Sequence, residues 1–379
     1  MLNALQGLIN WTPLGLPAFL FVITVVVFFH ELGHFLVARA FGVKVDIFSV
    51  GFGPEIVGRT DRSGTRWRVS WIPIGGYVKF AGDANATSMP DAEAARAVPA
   101  AERRHTLFFK PLWQRASVAA AGPFANFILA IMLFTGLNLY NGHNVLAPVV
   151  GAVVKDSPAA VAGIRPGDLI TDVDGTAISD FEQLPEIVSV SGGQNLAVTV
   201  KRAGQILTLH VTPRMMRTRD LLGDMGDTIV IGVRQSTNLS DWSHRSYDLP
   251  GAVGAAASES WAIAKTTIQG IVQMVRGYAS PDQFRGPLGI MKMTRQVAVY
   301  GFLALLNLTA VLSVSIGLAN LFPIPVLDGG HLLYYACEAV LGRPLGERAQ
   351  DVGFRLGLVL VLGLMLLTTW NDLVRLNLF

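Results

Sequence analysis

The chain has 379 residues, of which 51% are hydrophobic and only 15% charged, against about 25% charged in an ordinary soluble domain. That deficit is typical of a membrane protein, and a net charge of +3 gives no basic field for nucleic acid. The single cysteine, Cys337, excludes an internal disulfide and a cysteine-based metal cluster.

Four stretches, near 14–41, 116–140, 301–322 and 352–370, are long enough to cross the ~30 Å of hydrocarbon in a bilayer. The first could pass for a signal peptide. Residues 1–13 contain no Lys or Arg, however, and the apolar run leads into HELGH instead of a small-residue cleavage site, so it reads as a retained span. His30-Glu31-Leu32-Gly33-His34 follows directly on the apolar run 16–29. On a helix, two histidines four residues apart share one face and can hold one metal, with the glutamate beside them as base. Ionisable groups at membrane depth are costly and point to function.

Residues 43–80 alternate apolar and polar positions, in VKVDIFSVGFGPEI and RWRVSWIPIGGYVKF, and predict β-hairpins. Gly51, Gly53, Gly75 and Gly76 allow tight turns or a close backbone approach. Strand backbone beside a membrane is tolerated where it is buried or lines a cavity, and its edge could pair with an extended substrate. Residues 81–115 read as a cytoplasmic loop, flexible over 83–99, with Trp113 and Arg115 at headgroup level before the second span. Asn126 is a polar group inside that span and a candidate for an interhelical hydrogen bond.

Residues 145–235 read as a strand-rich soluble domain, with a turn at Arg165-Pro166-Gly167-Asp168 and a hairpin around Ala203-Gly204. Helical spacing over 251–278 predicts a surface or interface helix, and 284–293 a loop leading to the third span. That span runs into Asn320-Leu321-Phe322-Pro323-Ile324-Pro325-Val326-Leu327-Asp328-Gly329-Gly330-His331. Asp328 is the only carboxylate in the third span and its exit, and a catalytic zinc needs a third protein ligand. Pro323 and Pro325 break the helix beside it. Asn320 could bond the backbone of an unwound substrate. His331 is a rival ligand that, three residues on, is expected to face elsewhere.

The distribution of Lys and Arg orients the spans. The loop between spans one and two is basic, the N-terminal tail has no Lys or Arg, and the loop between spans three and four carries Arg343 and Arg348. Positive-inside then predicts both loops in the cytoplasm, with both termini and the middle segment 141–300 outside, in the periplasm if the cell is Gram-negative.

HELGH in the first span, GPFANF in the second and NLFPIPVLDGGH in the third together resemble the site-2 intramembrane metalloproteases. A PDZ-like order (SPAAVAGIRPGDLI, then VDGTAI, then FEQL), the GFGPE and IPIGGYVKF strands and the LMLLTTWNDLVRL ending resemble the bacterial RseP-type branch. The resemblance implies a polytopic α-helical membrane protein with four transmembrane helices, a membrane-associated re-entrant β-hairpin region and one inserted PDZ-like domain. It also implies a zinc held by His30, His34 and Asp328, Glu31 as catalytic base, and Asn320 on the substrate main chain. Pro325, Gly75, Gly76 and Asn126, which stand in the same motifs, are further substrate-binding candidates.

The implied partners are the lipid bilayer and transmembrane protein substrates. These are single-span anti-sigma factors already trimmed by a first protease, and remnant signal peptides. The implied location is the bacterial inner membrane. Well-known members carry two tandem PDZ domains, whereas this chain has room for one. Three rival readings stand beside this one: a binding protein of the same fold with a silent metal site, a transporter, which would need repeated halves, and a membrane-anchored zinc protease that cuts soluble loops, which would normally place HExxH in a polar segment outside the apolar run.

Overall fold

A computed structural model describes residues 2–82, 99, 102–189, 191–219, 225–276 and 285–375. The loop expected over 83–99 falls outside the described residues except for Pro99. The chain divides into two compact units, Met1–Phe134 with Arg285–Phe379 and Thr135–Phe284. Among the described residues, four helical stretches are long and apolar enough to cross a membrane: Leu14–Ala40, Leu112–Asn141, Phe302–Asn320 and Arg348–Val374. The protein is a multi-pass membrane protein.

The first unit opens with helix α1 (Leu2–Ala40). Ala18, Val22, Val26 and His30 are all buried along it. Their four-residue spacing puts them on one face, so the histidine continues the stripe that packs on Leu305, Leu308 and Leu312. The helix stops where Gly42 takes a left-handed φ of 69° and Val43 donates its N–H back to the Ala38 carbonyl.

Strands β1 (Val45–Thr60) and β2 (Arg66–Phe80) follow. They are not two plain hairpins. Residues 47–50 lie between 66–69, through the pairs Ile47 with Arg66 and Val50 with Val69, and 76–80, through Phe48 with Val78 and Val50 with Gly76. Residues 57–60 pair with 66–69 as well. The two long strands therefore fold into four short segments, in the order 57–60, 66–69, 47–50, 76–80. Phe48 stacks on Trp67 with ring centroids 4.3 Å apart, and Phe35 of α1 meets both rings. This aromatic cluster seats the sheet against the helix that carries the histidines. Helix α2 (Leu112–Asn141) then leads out of the unit.

The second unit is β-rich. It contains β3 (His143–Leu146), β4 (Val150–Val153), the short α3 (Pro158–Val161), β5 (Leu169–Val173), β6 (Thr176–Ala177) and α4 (Gln183–Ser189). After these come β7 (Leu196–Arg202), β8 (Gln205–Val211), β9 (Arg214–Arg219), β10 (Met225–Val230), β11 (Val233–Gln235), β12 (Trp242–Arg245) and α5 (Leu249–Val275). A four-stranded sheet runs β6-β5-β7-β8, and β11 pairs with β4. Ile170, Val173, Val198, Val200 and Leu184 form its core. The β7–β8 turn places Ala203 and Gly204 at φ of 48° and 85°, the two-residue geometry that matches strand twist. Asp168, 1% exposed, accepts two 2.7 Å bonds from Arg202.

The chain re-enters the first unit with three departures from the sequence reading. Residues 284–293, expected as a loop, run into helix α6 (Pro287–Ala298). Its N-terminus is held by Asp372, which accepts from the backbone N–H groups of Gly286 and Gly289 at 3.2 and 2.8 Å. A carboxylate brought in from far along the chain caps this helix, so no local signal marks it. Helix α7 (Phe302–Asn320) ends before the LDGG motif instead of reaching it. Asp328 opens a separate helix, α8 (Asp328–Leu341), in a stretch read as a loop, and α9 (Glu347–Arg375) follows. Pro323 and Pro325 disfavour helix at the residues before them and break the ladder. Gly329 and Gly330 then let α8 turn back onto the break, since a Cβ at Gly330 would lie 2.5 Å from the Ile324 carbonyl oxygen.

Candidate metal centre

His30 and His34 project from α1, and Asp328 from the first turn of α8. Their ligand atoms all lie within 4.8 Å of one another. Asp328 Oδ2 stands 3.0 Å from His30 Nε2 and 3.4 Å from His34 Nε2, and the two Nε2 atoms are 3.3 Å apart. His34 Nδ1 sits 2.8 Å from the Val118 carbonyl of α2. A carbonyl only accepts, so Nδ1 carries the ring proton and Nε2 presents a lone pair. Asp328 Oδ2 is buried without a hydrogen-bond partner. The Nε2 lone pair of His34 and the Oδ2 of Asp328 thus face each other with His30 Nε2 beside them, and a cation resolves that arrangement. Tetrahedral ligands at zinc's ~2.0–2.1 Å bond lengths lie ~3.3 Å apart, so both spacing and donor chemistry fit zinc.

Close helix approach makes the cluster possible. A Cβ on Gly122 of α2 would collide with the imidazoles of His34 and His30, and one on Gly33 of α1 with the backbone carbonyl of Ala121. Glycine at both positions lets α1 and α2 approach with the histidines between them.

A cavity of about 210 Å³ opens on the cluster, lined by Glu31, Gly76, Tyr77, Asn320 and His331 among others. Glu31, next to His30 in sequence, takes a hydrogen bond from the Val78 backbone. The outermost segment of the sheet, 76–80, therefore holds this carboxylate at the cavity wall. Asn320 reaches the cavity from the end of α7.

The other sequence candidates divide. Gly76 lines the cavity, and a Cβ there would lie 3.3 Å from Glu31 Cγ. Gly75 stands outside the lining at φ 96°, against the Phe52 ring. Pro325 is also outside it and packs on Gly357 of α9, while its neighbours Val326 and Leu327 line the cavity. Asn126 is fully buried and does not line the cavity; its amide lies 3.3 Å from His30 Nδ1.

His331, expected to face elsewhere, lines the cavity too. The expectation fails on helix pitch, since residues three apart in a helix share a face. Asp328 and His331 both belong to α8, and His331 is one turn along the same face.

The sequence does not mark Arg115, Tyr335 and Glu338 as site residues. Arg115 and Tyr335 line the cavity. Arg115 makes two bonds to Glu338, at 3.1 and 2.5 Å, and lies 5.1 Å over the Tyr335 ring. Asp328, His331, Tyr335 and Glu338 recur at the three- and four-residue steps of one helical face. That spacing is visible in the sequence once α8 is recognised.

A family profile for peptidase family M50 matches residues 18–364. The chain belongs to peptidase family M50. It is a metalloprotease of that family. Among similar proteins, one from Agrobacterium fabrum, provisionally named a zinc metalloprotease, is 44% identical over 355 residues, covering 94% of each chain. Another with the same provisional name, from Rhizobium meliloti, is 44% identical over 358 residues, covering 94% of this chain and 96% of its own. Metalloprotease MmpA of Caulobacter vibrioides is 39% identical over 386 residues, covering 96% of each.

Proposed function

We propose that this M50 peptidase cuts peptide bonds within the transmembrane segments of single-span membrane proteins, with zinc as its cofactor. The carrying observation is the convergence of His30, His34 and Asp328 around one point, with Glu31 beside them on the cavity wall. His30, His34 and Asp328 hold the ion. When bound, zinc activates water and polarises the scissile carbonyl. Glu31 takes the proton from the attacking water and returns it to the leaving amine.

A membrane helix hides its carbonyls in internal hydrogen bonds, so the substrate must unwind before it can be cut. Segment 76–80 borders the cavity beside Glu31 and is suited to run alongside an extended substrate. Asn320, on the same wall, bonds the substrate main chain. The substrate class is anti-sigma-like single-span proteins already trimmed by a first protease, with remnant signal peptides as a second class. The β-rich unit is a single PDZ-like domain on the extracytoplasmic side of the inner membrane, together with both termini. This orientation rests on the distribution of Lys and Arg.

Comparing the membrane proteomes of wild-type and Glu31→Gln cells tests the reading. Trimmed single-span proteins should accumulate in the variant, while purified Glu31→Gln protein keeps its zinc. Undiminished cleavage of a single-span reporter by Glu31→Gln would remove Glu31 from the mechanism. An unchanged membrane proteome would remove the substrate class.

A further inference from the structure

The two histidines of the cluster are oriented differently. His34 has its Nδ1 against a backbone carbonyl, an acceptor that cannot change character. The Nδ1 of His30 faces the side-chain amide of Asn126, whose Nδ2 lies 3.3 Å away. Asn126 is 0% exposed, and its Oδ1 is buried with no hydrogen-bond partner.

An amide has an accepting and a donating end of nearly equal shape, and chemistry decides which faces the ring. If Nδ2 donated to Nδ1, the ring proton would sit on Nε2, the atom that points at Asp328 Oδ2 and His34 Nε2. A protonated Nε2 cannot ligate a metal. Turning the amide over brings Oδ1 to Nδ1, gives that oxygen a donor, and leaves the Nε2 lone pair for the ion.

We propose that Asn126 is the positioning residue of His30, its buried carboxamide oxygen accepting the Nδ1–H so that Nε2 stays unprotonated and aimed at the zinc. The surroundings suit that role. The Asn126 carbonyl accepts a 2.8 Å bond from Ser313 Oγ of α7. Gly317, one turn further along α7, leaves so little room that a Cβ there would stand 3.0 Å from Asn126 Cβ. The backbone and Cβ of Asn126 are therefore packed against α7, while its amide meets His30 of α1. A polar residue deep in an apolar span is explained by the ring it steers. Metal-ligating histidines ordinarily donate their second ring N–H to such a partner, and losing the partner weakens metal binding about 10–100-fold.

The inference rests on the reading that His30, His34 and Asp328 hold zinc, and zinc titration of the full chain in detergent separates the two. Asn126→Leu, similar in size without an acceptor, should bind zinc about 10–100-fold more weakly than wild type. Asn126→Asp, which restores an acceptor oxygen, should bind at least as tightly as wild type. Asn126→Ala gives the same comparison should the leucine variant fail to fold. Zinc affinity of the leucine or alanine variant equal to wild type would overturn the proposal. So would equal weakening in the leucine and aspartate variants, which is what a pure packing role gives. His34→Ala is the control for the underlying reading. If that variant binds zinc like wild type, the ligand set itself is wrong. If it loses zinc while the leucine variant does not, only the role of Asn126 falls.

Discussion

Gly122→Ala offers the sharpest test of the site's architecture, because it adds one methyl group and no charge. The new Cβ would lie 2.6 Å from His34 Cε1 and 2.8 Å from His30 Cε1, with His34 Nε2 closer still. Ordinary carbon–carbon contact is ~3.5–4.0 Å, so each ring must retreat by ~0.7 Å or more, or α2 must back away from α1. Overpacking of this kind costs about 1–3 kcal/mol of stability. The larger effect falls on the site, where a misplacement of ~1 Å costs on the order of 10²-fold in rate. Gly136→Ala on the same helix is the matched control, since its Cβ would meet nothing within 4 Å. Zinc content, apparent Tm in detergent and cleavage of a single-span reporter should be near wild type for Gly136→Ala. For Gly122→Ala, zinc binding should be weakened and cleavage reduced about a hundredfold. A Gly122→Ala protein with wild-type zinc affinity and turnover would refute the close approach of α1 and α2 around the metal.

Three further outcomes follow from ion pairs and caps. Arg115 and Glu338, 15% and 17% exposed, should show a coupling of ~1–3 kcal/mol in a double-mutant cycle with Arg115→Met and Glu338→Leu read by thermal unfolding, whereas additive losses would mean the pair is idle. Asp372→Ala leaves the Gly286 and Gly289 N–H groups without their acceptor and should cost ~1–3 kcal/mol for each, with Asp372→Asn milder; equal losses would argue against the cap. Burial raises the Asp168 carboxyl, but its bonds from Arg202 and the Arg165 N–H hold it below the usual range. Its stabilising contribution is therefore complete above the unfolded value of ~3.9 and lost as pH falls through the lower folded value. Hydrogen exchange of β5 and β7 in the full chain should show wild type better protected than Arg202→Met at pH 7, with the gap closing below about pH 4; a gap independent of pH would contradict this linkage.

The legibility of this protein follows the range of the forces involved. Four spans and HELGH are local properties: apolar runs set the first, and the pitch of one helix puts His30 and His34 on a common face. Asp328 stood out by chemistry, as the only carboxylate near the exit of its span. The helix it belongs to did not stand out, because the prolines before it read as a terminus and the face of α8 toward the cavity is polar: Asp328, His331, Tyr335, Glu338. Helix α6 was hidden for another reason, since its cap is Asp372, more than 80 residues away in sequence.

Sequence alone determined which residue types could meet at a metal and on which helical faces they lie, because helix geometry converts spacing directly into direction. Only the tertiary structure decided which of them meet and who orients them. It put His331 and Arg115 on the cavity wall, left Pro325 and Gly75 off that wall, and set the Asn126 amide 3.3 Å from a ring nitrogen of His30. The setting of His30, His34 and Asn126 depends on how closely α1, α2 and α7 pack, for which Gly33, Gly122 and Gly317 leave the room. A glycine in an apolar run carries no sign of which neighbour it admits.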